Sequence, residues 1–238
     1  MQPTRITIPG PCGPIPALTA GDPGAARAGV VLGYGLSAEM QAQWPEAERL
    51  VAAGYAVIIP EMPHHGLRED GYLGRMMSQP GAVARSLFLD LLEEGVAELP
   101  TTVDHLVAAG ARRIVVAGVS MSGHLALAAP SRDPRVEVVV SFMGDPVWDG
   151  RPSSPGLVPG AFAGRSLFVV TADDDEVVRP APVRALVRAL AEGSADPAQY
   201  VEVRYAGGHM MSPKAWDDAW RRAMAWLDRR VGARSGSE

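Results

Sequence analysis

The segment Gly118-Val119-Ser120-Met121-Ser122-Gly123 places a serine between small residues, directly after an apolar, β-branched run. This order is typical of a nucleophile elbow, in which a strand turns sharply into a helix and presents a reactive serine. A Cβ atom disfavours the backbone conformation at such a turn, so the residues two before and two after Ser120 are expected to be small. Because Ser122 stands where the usual pattern has a second glycine, the motif alone leaves the chemistry open.

A serine hydroxyl becomes an effective nucleophile when a base takes its proton and a third group orients that base. The candidate base is His209, which follows the last predicted strand and is preceded by two glycines. The candidate acids are three consecutive aspartates after another predicted strand. The spacing Asp-x-Val-Val, followed closely by proline, favours Asp175, while Asp174 remains the main alternative and Asp173 could cap the turn.

Short β-branched runs alternate with helical patterns, which predicts parallel strands joined by crossover helices. The predicted strands are Arg5–Ile8, Ile15–Thr19, Gly29–Leu32, Ala56–Ile59, Arg113–Ala117, Val136–Phe142, Ser166–Thr171 and Tyr200–Tyr205. The predicted helices are Pro45–Ala53, a long one from about Val83 to Ala109 with an interruption near Pro100, and a closing one from about Ser212 to Val231. The serine, the aspartates and the histidine therefore all follow predicted strand ends.

Composition is that of an ordinary globular protein, with 47% hydrophobic and 21% charged residues in 238. A net charge of −5 without a basic block argues against nucleic acid as a partner. No run approaches a membrane span, and residues 1–5 lack the apolar region of a signal peptide. With Cys12 as its one cysteine, the chain cannot form an internal disulfide. We expect one domain over residues 1–238 and a cytoplasmic location, while the oligomeric state stays open.

The order Ser, Asp, His at successive strand ends resembles the α/β-hydrolase superfamily, over about residues 5–231. The resemblance is closest to the small esterase and dienelactone-hydrolase-like branch. The segment Pro60–Arg68, with its His-Gly-x-Arg, looks like the one after the fourth strand of such enzymes. Thr171–Pro180 resembles their His-Gly-x-x-Asp-x-Val-Val-Pro segment, with Thr171 and Ala172 in place of His-Gly and Arg179 inserted before the proline.

This resemblance implies an α/β fold with a mostly parallel eight-stranded sheet, flanking helices and a small cap or none. It also implies two backbone N–H donors for a developing oxyanion. One is the N–H of Met121, directly after the nucleophile, and the other is that of Tyr34 in the loop after the third strand. The family usually has His-Gly-x in that loop, whereas this chain has Leu32 before the glycine, which leaves the support of the loop in question.

The expected substrate pocket is apolar and includes Met143, Met210, Trp148 and His65. The proline- and glycine-rich segment 144–165 is long for a connection in a compact domain, and a flap over the substrate is its first interpretation. No metal or cofactor is expected, because the adjacent His64 and His65 have no second cluster of ligands. His124, four residues after the serine, is expected to contribute packing rather than chemistry.

Together these patterns favour a serine hydrolase that cleaves carboxylic esters of small to medium acyl groups. A thioesterase would use the same Ser120, Asp175 and His209, so it remains an alternative. A protein of the same fold that binds a ligand without turnover is the alternative from another class. A peptidase is disfavoured, since related oligopeptidases carry an additional gating domain for which this chain has no room.

Overall fold

The computed structural model describes residues 2–232 and contains one eight-stranded sheet within that range. Its strands, in chain order, are β1 (Thr4–Ile8), β2 (Ile15–Ala20), β3 (Gly29–Gly33), β4 (Ala56–Pro60), β5 (Ile114–Val119), β6 (Val136–Phe142), β7 (Ser166–Ala172) and β8 (Tyr200–Tyr205). Their spatial order is β1-β2-β4-β3-β5-β6-β7-β8. The strand β2 pairs antiparallel with β1 and β4, and the pairs from β4 to β8 are parallel. The predicted fold class is confirmed.

Six α-helices accompany the strands in the described range: α1 (Trp44–Ala52), α2 (Tyr72–Met77), α3 (Gly81–Ala108), α4 (Met121–Arg132), α5 (Ala181–Glu192) and α6 (Pro213–Val231). Short 3₁₀ turns lie at Met40–Gln43, Gly66–Arg68, Pro155–Leu157, Pro159–Phe162 and Pro197–Gln199. None of the helices in residues 2–232 combines the length and apolar character that crossing a membrane requires.

Both faces of the sheet are buried. Because side chains alternate along a strand, Val115 and Ala117 of β5 pack into one apolar cluster while Val116 packs into another. The first cluster includes apolar residues of α1 and α6, and the second includes residues of α4 and α5. Double-sided burial is typical of parallel sheets and explains the nearly continuous apolar runs of the central strands.

The helix α3 continues through Pro100, so the predicted interruption is wrong. Proline lacks an N–H and usually costs a helix about 3 kcal/mol. On either side of it, Leu99 and Val103 are buried in the apolar cluster beside the sheet. Tertiary packing of this kind outweighs local propensity.

The segment 144–165 is tied to α3 rather than free of it. The Arg151 guanidinium pairs with Asp90 at 2.9 Å, and the Ser153 hydroxyl donates to the Glu93 carboxylate at 2.5 Å. The Trp148 side chain is buried in the first of the two apolar clusters, and its indole N–H donates to the Asp145 carbonyl at 2.8 Å. These contacts hold the segment beside the carboxyl edge of the sheet.

Candidate active site

Ser120 occupies a strained turn between β5 and α4. Its φ of 52° and ψ of −112° lie in a region that side chains disfavour, and its N–H donates to the Phe142 carbonyl at 2.8 Å. A Cβ atom at Gly118 would lie 2.0 Å from the Ser122 carbonyl oxygen, and one at Gly123 would lie 2.6 Å from the Phe142 oxygen. Because both positions are glycine, the backbone segments around Ser120 can pack this closely and keep its strained conformation. Strained backbone of this kind is typical of functional sites.

The structure brings Ser120, His209 and Asp175 into one hydrogen-bonded chain. The Ser120 Oγ lies 2.8 Å from His209 Nε2, and His209 Nδ1 lies 2.8 Å from Asp175 Oδ2. His209 follows Gly207, whose φ of 100° lets the backbone turn after β8. A histidine held between a hydroxyl and a carboxylate can accept the hydroxyl proton while the carboxylate fixes its tautomer.

The three aspartates after β7 have different surroundings. The Asp175 side chain is 1% exposed, and its Oδ1 accepts hydrogen bonds from the Val177 and Val178 N–H groups at 2.9 and 2.8 Å. Asp173 and Asp174 are exposed, and two arginines, Arg184 and Arg204, lower the pKa of Asp173. Of the three, Asp175 is the one that contacts the histidine.

The residues of the two expected oxyanion donors, Met121 and Tyr34, both contact or adjoin the elbow. Met121 is the first residue of α4, where backbone N–H groups have no partner within the helix and the helix dipole favours negative charge. Tyr34 follows β3, and its carbonyl accepts from the Ser122 hydroxyl at 2.7 Å and from the Ser122 N–H at 3.3 Å. Ser122 is therefore more than a small residue, because it ties the elbow to the Tyr34 loop.

A buried tyrosine–glutamate contact supports the same loop. The Tyr34 hydroxyl donates to Glu61 Oε1 at 2.5 Å and accepts from the Met62 N–H at 2.9 Å. Burial and the Glu61 carboxylate raise the pKa of Tyr34, so its hydroxyl stays protonated. Sequence reasoning missed this support, which lies in the loop where the family's usual histidine is absent.

A cavity of about 940 Å³ opens beside Ser120 and His209. Its wall is mainly apolar, with five methionines and Phe88, Val119, Val177, Val178 and Trp216 among its members. Met143 and Met210 lie in this wall as expected from the sequence. The segment 144–165 contributes Asp145 to the wall, and α2 contributes Met76 and Met77.

Two residues expected in the pocket, His65 and Trp148, are not in the cavity wall. His65 is 1% exposed because it supports loops: its Nδ1 donates to the Pro63 carbonyl at 2.7 Å, and its Nε2 accepts from the Ser37 N–H at 3.1 Å. Burial lowers the pKa of His65, so its ring is neutral. Trp148 is buried in the first apolar cluster, where its indole N–H bonds to the Asp145 carbonyl.

His124 lies in the cavity wall although sequence reasoning assigned it to packing. It is 1% exposed, its ring stands edge-on to Phe88, and its Nδ1 lies 2.8 Å from the Ser120 carbonyl oxygen. Burial lowers the pKa of His124 to about 4. The ring is therefore neutral near pH 7.

The buried His124 should make the protein less stable in mild acid. Below pH 6.5 the unfolded chain binds a proton at this residue, whereas the folded protein binds it only near pH 4, so the free energy of unfolding falls through that window. The expected contribution is on the order of 3 kcal/mol between pH 6.5 and 4. Urea unfolding of the native protein and of His124→Gln at pH 7 and 4.5 measures it. An equal loss in both proteins would contradict the expectation, because His65 and the carboxylates are common to both.

His64 contacts two carboxylates and a tyrosine ring. Its Nδ1 lies 3.0 Å from Asp70 and its Nε2 lies 2.9 Å from Glu94, while its ring stacks on Tyr72. Across residues 2–232, no group of three or more His, Cys, Asp or Glu side chains is arranged to hold a metal ion.

Solved structures share this architecture at low sequence identity. A putative dienelactone hydrolase from Klebsiella pneumoniae superposes with a TM-score of 0.73 at 15% identity, covering 96% of this chain and 98% of that one. An esterase from Pyrococcus furiosus gives a TM-score of 0.73 at 16% identity, covering 97% of this chain and 93% of that one. A cold-adapted esterase from an Arctic intertidal metagenomic library gives a TM-score of 0.73 at 18% identity, covering 97% of this chain and 94% of that one. At these identities the likeness shows the fold.

Sequence comparison identifies the family. A search of curated protein sequences gave no significant match. The model of the alpha/beta hydrolase family matches residues 30–234, a range that contains the elbow, the three aspartates and His209. With the sheet order, the elbow at the end of β5 and this match, the chain belongs to the alpha/beta hydrolase family.

Proposed function

We propose that the protein is a serine hydrolase that cleaves carboxylic esters of small to medium acyl groups through an acyl-enzyme on Ser120. The observation that carries this proposal is the hydrogen-bonded chain from Ser120 through His209 to Asp175, with both distances at 2.8 Å, at the wall of an open cavity. The names of two similar structures, both esterases, agree with it.

Each residue has a defined task in the proposed reaction. Ser120 Oγ attacks the ester carbonyl while His209 Nε2 accepts its proton, and Asp175 stabilises the resulting imidazolium. The N–H groups of Met121 and Tyr34 stabilise the oxyanion. His209 then donates the proton to the leaving alcohol, and a water molecule, activated by the same histidine, releases the acid from the acyl-enzyme.

The cavity supports an apolar substrate of modest size. Its wall residues are mainly apolar, and at its mouth Met77, Val177 and Met210 are 62%, 71% and 90% exposed. Methionine side chains are flexible and adapt to ligands of different shapes. We expect the cavity to accept several acyl lengths rather than one.

The experiment that tests this function is a hydrolysis series with acyl groups of two to twelve carbons, as oxygen esters and as the matching thioesters. We expect turnover of short and medium oxygen esters, with kcat/KM falling for the longest chains. Higher kcat/KM for every thioester would favour the thioesterase alternative. No hydrolysis of either series by the folded native protein would refute the proposal and favour a binding protein of the same fold.

Replacing Ser122 by alanine should have a modest effect on both stability and rate. The variant loses the 2.7 Å hydrogen bond to the Tyr34 carbonyl, which should lower the free energy of unfolding by about 1 kcal/mol. Since the Tyr34 loop then has one anchor fewer, we expect kcat to fall by about threefold to tenfold with little change in KM.

Urea unfolding and steady-state kinetics on a short ester check this prediction. A fall in kcat as large as that of a Ser120 variant would contradict it, because the Ser122 hydroxyl would then do more than anchor the Tyr34 loop.

A further inference from the structure

His124 is a buried polar side chain in the wall of the cavity, one helical turn after the nucleophile. The residues around it in that wall, Phe88, Val119 and Met143 among them, are largely apolar. Its backbone N–H donates to the Ser120 carbonyl at 3.1 Å, and both residues line the same cavity. The imidazole brings two ring nitrogens into this mainly apolar wall.

The hydrogen bond to Ser120 determines which ring nitrogen carries the proton. A backbone carbonyl oxygen only accepts hydrogen bonds, so His124 Nδ1 must donate to the Ser120 oxygen at 2.8 Å. The ring is neutral, as its lowered pKa shows, and therefore has one N–H. His124 Nε2 is left as a pure acceptor.

His124 Nε2 has no hydrogen-bond partner within residues 2–232. In that range the ring makes one hydrogen bond, through Nδ1. The charged side chains that share the cavity wall are Arg85, Asp145 and His209. The Arg85 guanidinium donates to the Val147 carbonyl at 3.3 Å. Among residues 2–232, Nε2 does not count with the fully buried polar atoms that lack a partner, so it is accessible from the cavity, where a bound molecule can donate a hydrogen bond to it.

We propose that His124 Nε2 accepts a hydrogen bond from a hydroxyl group of the substrate, so that the site prefers esters with a hydroxyl close to the scissile carbonyl. This inference rests on the proposed ester hydrolysis and narrows its substrate class. A separation of one helical turn limits the hydroxyl to the first few bonds on the acyl or the alcohol side. Sites built to bind a hydroxyl discriminate against the analogue that lacks it, because their polar atom is then left unpaired.

Matched pairs of esters test the preference for a hydroxyl group on the acyl side and on the alcohol side of the ester. Methyl 3-hydroxybutanoate is compared with methyl 3-methylbutanoate, and 2-hydroxyethyl butanoate with propyl butanoate, each rate being divided by that of hydroxide-catalysed hydrolysis. For the native protein we expect a normalised kcat/KM about threefold to tenfold higher for the hydroxyl ester in one of the pairs. No preference in either pair would overturn the proposal.

Two variants separate recognition from support of the elbow. His124→Phe keeps an aromatic ring and removes both nitrogens, and it should reduce the hydroxyl preference by about threefold to tenfold. Phe88→Leu changes the same wall without removing a polar atom, and it should change both members of a pair by the same factor. If His124→Phe also lowers both members equally, the residue only supports Ser120 and the proposal is wrong.

A spectroscopic measurement keeps the test independent of turnover and of the folding of His124→Phe. In ¹⁵N-histidine-labelled Ser120→Ala protein, the Nε2 resonance of His124 should shift when the favoured hydroxyl ester is added and not with its methyl or methylene counterpart. Absence of a shift with both hydroxyl esters, at concentrations where binding is seen at other resonances, would overturn the proposal. Failure of the hydrolase function itself would appear separately, as a lack of turnover of all four esters.

Discussion

Replacing Ser120 by alanine should lower kcat for ester hydrolysis by about 10⁶-fold, the scale of effect known for nucleophile removal in a serine protease. The hydroxyl that lies 2.8 Å from His209 is then absent, and no acyl-enzyme can form. The cavity wall is unchanged, so substrate binding should persist. Steady-state kinetics on a butanoate ester, with binding measured in the inactive variant, checks both parts.

Ser122→Ala is the matched control for this loss, since both changes remove one hydroxyl from the same turn. The Ser122 side chain is buried against Gly33 and Gly118 and donates to the Tyr34 carbonyl. The Ser122→Ala variant should keep at least a tenth of the native kcat. Substantial activity in Ser120→Ala, measured on protein free of native enzyme, would refute the assignment of the nucleophile.

Replacing Asp175 by asparagine should lower kcat by about 10³- to 10⁴-fold, an effect of the size known for this change in a serine protease. The carboxylate accepts a hydrogen bond from His209 Nδ1 at 2.8 Å, whereas an amide NH₂ in its place would donate to that nitrogen. The histidine would then carry its proton on Nε2 and could not accept the Ser120 proton. Steady-state kinetics on the same ester measures the loss.

Asp174→Asn provides the control, because that carboxylate is exposed and adjacent in sequence. We expect its kcat to stay within about threefold of the native value, as surface substitutions usually have small effects. A larger loss in Asp174→Asn than in Asp175→Asn would show that the acid is the other aspartate.

The parts of the fold that follow local rules could be predicted from the sequence. Strand runs such as Val136–Phe142 are β-branched and apolar, because a parallel sheet is buried on both faces. The predicted end of β5 is less accurate. The strand reaches Val119, two residues beyond the predicted end, and leads directly into Ser120. Glycine and valine at that end are poor local signals, and the elbow geometry determines the boundary.

Contacts between distant residues could not be predicted in this way. The bond between Tyr34 and Glu61, and the bond from Ser122 to the Tyr34 carbonyl, join loops that no periodicity relates. The place of His124 in the cavity wall depends on the rotation of α4 against the sheet. The helix through Pro100 was also missed, because its stability comes from packing on the sheet rather than from its own residues.

The most direct test of the account is covalent labelling of the native protein with an alkyl phosphonate ester specific for serine hydrolases, followed by peptide mass spectrometry. We expect one adduct, on Ser120, which Ser120→Ala abolishes and Ser122→Ala retains. We also expect slower labelling of Asp175→Asn, since the same proton transfer activates the serine. A folded native protein that forms no adduct, or one whose adduct lies on a residue other than Ser120, would contradict the account.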